Sequence, residues 1–311
     1  MSQTFRQEPL THIRSWLRQQ IKGAPVGTVV SFQVLDPDLS RGHYAGELLT
    51  HAGQTYRGRS HKNWLDLAET LDLRYLTPRP AEGGLVELRF EVVDQTGSPH
   101  DHQESDRTEK YGVASPFYRI DKREEPQFLH DYQLALEQIS IRKGDRILEL
   151  GMHRGDALML LLETYPQLAS TLQLYGVDHC RSAVADASAR LASANADMIC
   201  ANLDAHTFGD ESYHLLMAIG VLHSPHLNGK ALLERLLKQN TQQRASVILG
   251  WPNMRYLDGE IKYGARKKND RQPELSLVVK DLNFYMRLLQ KRGFQTTLRG
   301  KYYLFLTGVR R

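Results

Sequence analysis

Hydrophobic and polar positions change period several times along the chain, and each change marks an element. Residues 28–36 (TVVSFQVLD) alternate apolar and polar at the two-residue β period. His43 to Thr50 and Gln54 to Arg57 read as a hairpin around His51-Ala52-Gly53. Ser60 then precedes a helical pattern in which Trp64, Leu65, Ala68 and Leu71 share one face. Its hydroxyl can accept an otherwise unpaired backbone N–H, which makes it an N-cap. Arg74 to Thr77 and Leu85 to Val93 read as further strands. Residues 1–97 are therefore expected to form a small α+β domain. Residues 94–110 are polar and aperiodic, and 98–125 are read as a linking segment.

A helix is expected from about Pro126 to Ile139, with Phe128, Leu129, Tyr132, Leu136 and Ile139 as its apolar stripe. From Asp145 onward strands and helices alternate. Arg146 to Leu150, Leu172 to Val177, Met198 to Ala201, Leu215 to Ile219 and Ser246 to Gly250 are the strands. Such alternation implies a parallel sheet covered on both faces. A helix from Leu277 to Lys291 then leads into Gln295 to Arg299 and Tyr302 to Val309, an antiparallel hairpin around Gly300-Lys301. The fold class is α/β: a doubly wound, mostly parallel sheet over 126–311 with an antiparallel C-terminal hairpin, preceded by the small α+β domain.

Composition narrows the class. The 311 residues are 41% hydrophobic and 24% charged, as in a globular protein and unlike a disordered chain or a collagen repeat. The longest strongly apolar run, Ala157 to Leu162, is far short of the roughly 20 residues a membrane helix needs. The polar N-terminus, MSQTFRQEPL, lacks the apolar core of a secretory signal, so a cytoplasmic location is expected. Two cysteines, Cys180 and Cys200, offer neither a disulfide framework nor a thiolate zinc site. His100-Asp-His102 lacks further clustered ligands, and no metal is expected. Net charge is +4, but residues 255–311 alone carry +9, while 1–130 and 131–254 carry −2 and −3. A basic surface of that kind attracts anions and can position phosphates.

The chemistry concentrates in Arg146-Ile-Leu-Glu-Leu-Gly-Met-His-Arg-Gly-Asp156. An apolar strand enters a turn with Gly151 and Gly155, then a helix whose N-terminus has free N–H groups. Ligands of open α/β sheets bind at the carboxyl ends of strands, where the strand order reverses. Asp178, followed by His179, ends the next strand, where an acid can accept both hydroxyls of a ribose. Asp204, followed by Ala205, sits just past the third strand.

This order of elements and acids resembles the class I S-adenosylmethionine-dependent methyltransferases over residues 126–311. The resemblance implies S-adenosyl-L-methionine as cofactor. It assigns Glu149, Gly151, Met152, His153 and Gly155 to the first cofactor motif, and Asp178 with His179 to the ribose. Asp204-Ala205 would meet the adenine, and the Ile219-Gly220 backbone would lie beneath the methionyl part. His153 stands where the family usually has a middle glycine. A nicotinamide dehydrogenase would need G-x-G-x-x-G, which this loop lacks. The family often covers its cofactor with an upstream segment, which puts Tyr111 or Tyr118 of residues 98–125 over the site.

Methyl transfer from a sulfonium asks mainly for alignment, and a base only where the acceptor holds its proton tightly. His223, in Val221-Leu-His-Ser-Pro-His226, is the candidate base. The segment 251–273 reads as a long loop without strong periodicity over the acceptor site. Its Trp251, Asn253, Arg255, Tyr263 and Arg266, with Tyr118 and His223, are the candidate acceptor-binding residues. Interleaved aromatic and basic side chains favour an RNA or nucleotide acceptor. A small-molecule or natural-product acceptor, anionic in one form, is the alternative, and it predicts an enclosed pocket under this loop. A non-catalytic cofactor-binding regulator or scaffold is the third reading. The N-terminal domain is expected to select substrate or to mediate self-association into a homo-oligomer, and no membrane partner is expected.

Overall fold

The structure, a computed structural model, describes residues 3–94, 107–265 and 274–310. The described chain divides into two compact units: one takes the residues up to 94 together with Tyr256–Lys262, the other takes the rest.

The first unit is built on a three-stranded antiparallel sheet. Its elements are α1 (Leu10–Ile21), β1 (Val29–Leu35), the hairpin β2 (Leu48–His51) and β3 (Gln54–Arg57), α2 (His61–Thr70), β4 (Leu73–Pro80) and β5 (Leu85–Val92). Strand order is β1-β5-β4. Ile13 and Leu17 of α1 and Trp64, Leu67 and Ala68 of α2 pack on Phe32, Leu88 and Phe90 of the sheet. Phe32 and Phe90 stack at 5.4 Å, and Trp64 meets Phe32 edge-on. Ser60 caps α2 in a reciprocal capping box with Asn63. The buried face differs from the expected one at two positions: Leu67 is buried and Leu65 is exposed. Helix α1 was not anticipated, although Leu10, Ile13, Leu17 and Ile21 recur at helical spacing. The basic run at 56–62 serves the unit itself. Arg57 donates to the carbonyls of Gln7 and Gly46, and buried Arg59 donates to Glu8 O and lies over the Trp64 ring.

Tyr256–Lys262 joins this unit through ion pairs. Arg74 reaches Asp258 at 2.7 Å, Glu91 at 3.0 Å and Glu260 at 3.1 Å. Buried Lys262 donates to Leu73 O and pairs with Glu260. Here the expectation of an aperiodic loop at 251–273 is corrected. Met254–Leu257 (β11) and Glu260–Tyr263 (β12) pair as a two-stranded sheet. Asp258 (φ 49°) and Gly259 (φ 80°) form the turn. Asp-Gly supplies the two left-handed residues that a tight hairpin requires. The remainder of that segment, with Arg266, lies outside the described residues, as do His100 and His102.

The second unit opens with α3 (Pro126–Glu137), β6 (Arg146–Leu150), α4 (Asp156–Thr164), β7 (Gln173–Asp178), α5 (Arg181–Arg190) and β8 (Ala196–Cys200). It continues through β9 (Tyr213–Ile219), α6 (Gly229–Gln239), β10 (Thr241–Pro252), α7 (Ser276–Lys291), β13 (Gln295–Gly300) and β14 (Tyr303–Arg310). The seven-stranded sheet runs β13-β14-β10-β9-β6-β7-β8. Strands β6 to β10 pair in parallel, and β14 runs antiparallel to both β10 and β13. This is the doubly wound sheet with a C-terminal antiparallel hairpin that the sequence pattern implied. Alternation along β9 feeds two cores. Leu215, Met217 and Ile219 pack with α3 and α4, while Leu216 and Ala218 pack with α6 and α7.

Candidate active site

Strand order reverses at β6: successive strands add to one side through β7 and β8, and to the other through β9 and β10. The carboxyl ends of β6 and β9 therefore bound the crevice where such sheets bind ligands. The loop leaving β6 holds three left-handed residues, Gly151 (φ 64°), His153 (φ 53°) and Gly155 (φ 80°). His153 thus adopts the backbone conformation of the glycine it stands in for. A Cβ on Gly151 would lie 2.6 Å from a Val221 methyl, so the loop closes tightly on the strand ends. Asp178 anchors the loop: its carboxylate accepts from His153 N and Cys180 N, both at 2.9 Å. His179 Nδ1 lies 3.4 Å from the same group, and its side chain is largely exposed.

A small cavity of about 30 Å³ opens at this point, lined by Lys122, Phe128, Glu149, Gly151, His153 and Asp156, with Met152 and Ile219 beside them. Glu149 is 3% exposed, and its Oε2 has no partner among the described residues. Burial pushes its carboxyl up to about 8, against the pull of the Lys122 charge; Asp156 and Asp178 push the same way as burial. Lys122 is the counterpart. Burial pulls it down, but a hydrogen bond to Tyr303 and the charges of Asp156 and Glu149 outweigh that, and its ammonium titrates above the ordinary lysine value. Its Nζ lies 5.1 Å from the Tyr303 ring centre. A Cβ built on Gly220 would come within 3.1 Å of Tyr303 Oη and 4.0 Å of Lys122 Nζ.

Lys122 comes from the segment upstream of α3, and that segment is tied down at both ends. Asp121 pairs with Arg123 and Arg154, each at 2.8 Å, and Asp156 binds Arg154 and Arg190. At the other end Glu109 accepts from the Ser182 hydroxyl and backbone at the start of α5. Between these anchors the Tyr111 carbonyl accepts from His153 Nε2 at 2.8 Å, and the Tyr118 ring meets His153 edge-on. The Tyr111 ring packs on Phe117 and beside His179, and burial with the Asp178 charge raises its phenol. The segment therefore lies over the carboxyl ends of β6 and β7.

The structure brings Glu149, Gly151, Met152, His153, Gly155, Asp178, Ile219 and Gly220 to one crevice. Asp204 and Ala205 stand apart from the cavity lining in an exposed turn, with Asp204 accepting from Asn228 N at the start of α6. His223 is exposed. Trp251, expected over an acceptor, is 1% exposed and packs on Tyr285 of α7 in the core. Arg255 clamps the hairpin by donating to the carbonyls of Tyr263 and Gly264. Asn253 and Tyr263 line a second cavity of about 300 Å³, reached by the first turns of α7 and the β13–β14 turn. Lys122, Asp156 and Tyr303 escaped the sequence reading. The Asp121-Lys122-Arg123 charge triplet just before α3 was the available signal for Lys122.

No family model matches this sequence, and no curated protein matches it. Solved structures do. A methyltransferase dependent on S-adenosylmethionine from Aquifex aeolicus is 13% identical, covering 58% of this chain and 90% of its own, with a TM-score of 0.43. The complex of the Trm112 methyltransferase activator of Haloferax volcanii with a methyltransferase matches at 14% identity, covering 67% of this chain and 99% of that one, TM-score 0.46. The plantazolicin methyltransferase BpumL, solved with a substrate analogue and S-adenosylhomocysteine, is 13% identical over 61% of this chain and 87% of its own, TM-score 0.44.

Proposed function

We propose that the second unit binds S-adenosylmethionine at the β6–β9 crevice and transfers its methyl group. The observation that carries the reading is a pair of opposite groups lining one cavity, Glu149 with a buried oxygen unpartnered among the described residues and Lys122 beside Gly220 and Tyr303. A buried acceptor and a neighbouring cation fit the amino and carboxylate ends of an amino acid, and the Glu149 oxygen has no partner among the described residues. Asp178 retains acceptor capacity beyond its two backbone bonds and stands where ribose hydroxyls would be held. The three left-handed loop residues let backbone approach a ligand closely.

When bound, the cofactor would supply a methyl group on a sulfonium, activated for transfer to an acceptor lone pair. The chain's part is to bind, orient and exclude water. Segment 107–125 reduces the crevice to about 30 Å³ and moves aside to admit a nucleoside of this size. His223 is exposed on the turn after β9.

The acceptor is a small molecule in this reading. Trp251, expected to stack a base, is a core side chain. A cavity instead sits beside Asn253 and Tyr263. The test is S-adenosylhomocysteine formation from S-adenosylmethionine in the presence of either pooled small metabolites or total RNA. Product with metabolites alone supports the reading. Product only with RNA reverses the acceptor, and no product from either pool removes catalysis.

A further inference from the structure

The second cavity carries chemistry that identifies what it takes; this inference rests on the methyltransferase reading above. Its walls are mainly apolar, from Val278 and Val279 of α7 and Leu304 of β14, with Gly300 and Lys301 of the turn at one side. Its volume of about 300 Å³ is at the small end of ligand sites. One polar group stands out. Asn253 is 4% exposed, and its amide nitrogen donates to Lys301 O at 2.9 Å. That bond fixes the orientation of the carboxamide and leaves Oδ1 as a buried acceptor with no partner among the described residues. Its backbone is fully used, donating to Tyr302 O and accepting from Gly264 N. An unpaired buried acceptor is costly, and a ligand donor recovers that cost.

Place supports the assignment. Gly250 of β10 pairs with Ile219 of β9, which borders the first cavity. Asn253 lies three residues further along the chain, about 10 Å at strand rise. Asn253 directly follows β10, so the cavity opens at the same carboxyl edge of the sheet as the crevice, on the face covered by α7. Gly300 (φ 122°) holds the turn in a form no side chain permits, because a Cβ there would collide with the Tyr303 carbonyl.

We propose that this cavity is the acceptor subsite, and that it takes a compact, uncharged apolar or aromatic molecule with one N–H or O–H donor directed at Asn253 Oδ1. The hydrogen bond sets which analogues are accepted: a site built to receive a donor rejects the same shape without one.

The test titrates indole, an apolar ring with one N–H, and 1-methylindole, which lacks that donor, into the full chain by calorimetry. S-adenosylhomocysteine is titrated in parallel. Indole is expected to bind saturably and 1-methylindole at least tenfold more weakly. Val279→Trp, at a position 59% exposed on the cavity wall, is expected to weaken indole at least tenfold and to leave S-adenosylhomocysteine affinity unchanged. Equal binding of the two indoles, or an unaltered indole affinity in V279W, overturns the proposal. So does displacement of indole by an RNA oligonucleotide whose own affinity falls in V279W, which would make the cavity a base pocket. Indole binding in a chain that binds no S-adenosylhomocysteine refutes the methyltransferase reading itself and takes the acceptor role with it.

Discussion

Replacing Glu149 with glutamine separates what the site needs from what the fold prefers. A carboxyl raised from 4.5 to about 8 is neutral in the folded chain at pH 7 and ionised in the unfolded one. At 1.36 kcal/mol per pH unit, that difference costs up to about 5 kcal/mol of stability at pH 8. The sign follows from the raised value: the contribution is fully present below about 4.5, declines as pH rises and is gone by about 8. Glu149→Gln cannot ionise, so the second unit of the variant should hold a flatter stability between pH 5 and 8 and exceed the wild type at pH 8. Native-state hydrogen exchange read on the β6 and β9 peptides isolates this unit from the other. The same variant should bind S-adenosylhomocysteine at least tenfold more weakly, because an amide cannot supply the negative charge a cofactor ammonium asks for. Parallel pH curves for wild type and variant would refute the burial argument. A more stable variant with undiminished affinity would refute the functional one.

Other outcomes follow from the same geometry. Cofactor uptake at pH 6–7 should release a proton as Glu149 ionises beside the bound ammonium, read as a buffer-dependent calorimetric heat that disappears in E149Q. Gly151→Ala should lose about 2 kcal/mol or more, from the left-handed backbone and the Val221 collision, seen as a lowered melting temperature and weakened cofactor binding. Glu109→Ala should free one anchor of the covering segment and raise the association rate of S-adenosylhomocysteine in stopped flow. Arg74→Ala removes a guanidinium shared by three carboxylates and should speed exchange of Tyr256–Lys262 amides without altering cofactor affinity.

The glycine loop and its acids were legible because their signal is local. A strand, a turn that needs positive φ and an acid at the next strand end all lie within a few residues of each other. The parallel sheet and its terminal hairpin were legible from alternation. Lys122 and Tyr303 were not, because they meet at Gly220 only after the upstream segment and β14 have packed. Trp251 misled for the same reason: a tryptophan beside prolines and arginines looks like a surface residue, and only the packing of Tyr285 from α7 buries it. The β11–β12 hairpin was readable in principle, since Asp258-Gly259 is a strong turn pair, but its strands are too short to show alternation. Asn253 was named as a candidate from its position alone; the orphaned oxygen that gives it chemistry exists only once Lys301 O claims the nitrogen.

The central claim is that Glu149 and Lys122 hold the amino-acid end of S-adenosylmethionine. Calorimetric titration of S-adenosylhomocysteine into wild type and Lys122→Met tests it most directly. Micromolar binding by the wild type, weakened at least tenfold in K122M, is the predicted result. No binding by the wild type at millimolar ligand, or equal affinity in the two proteins, would contradict it.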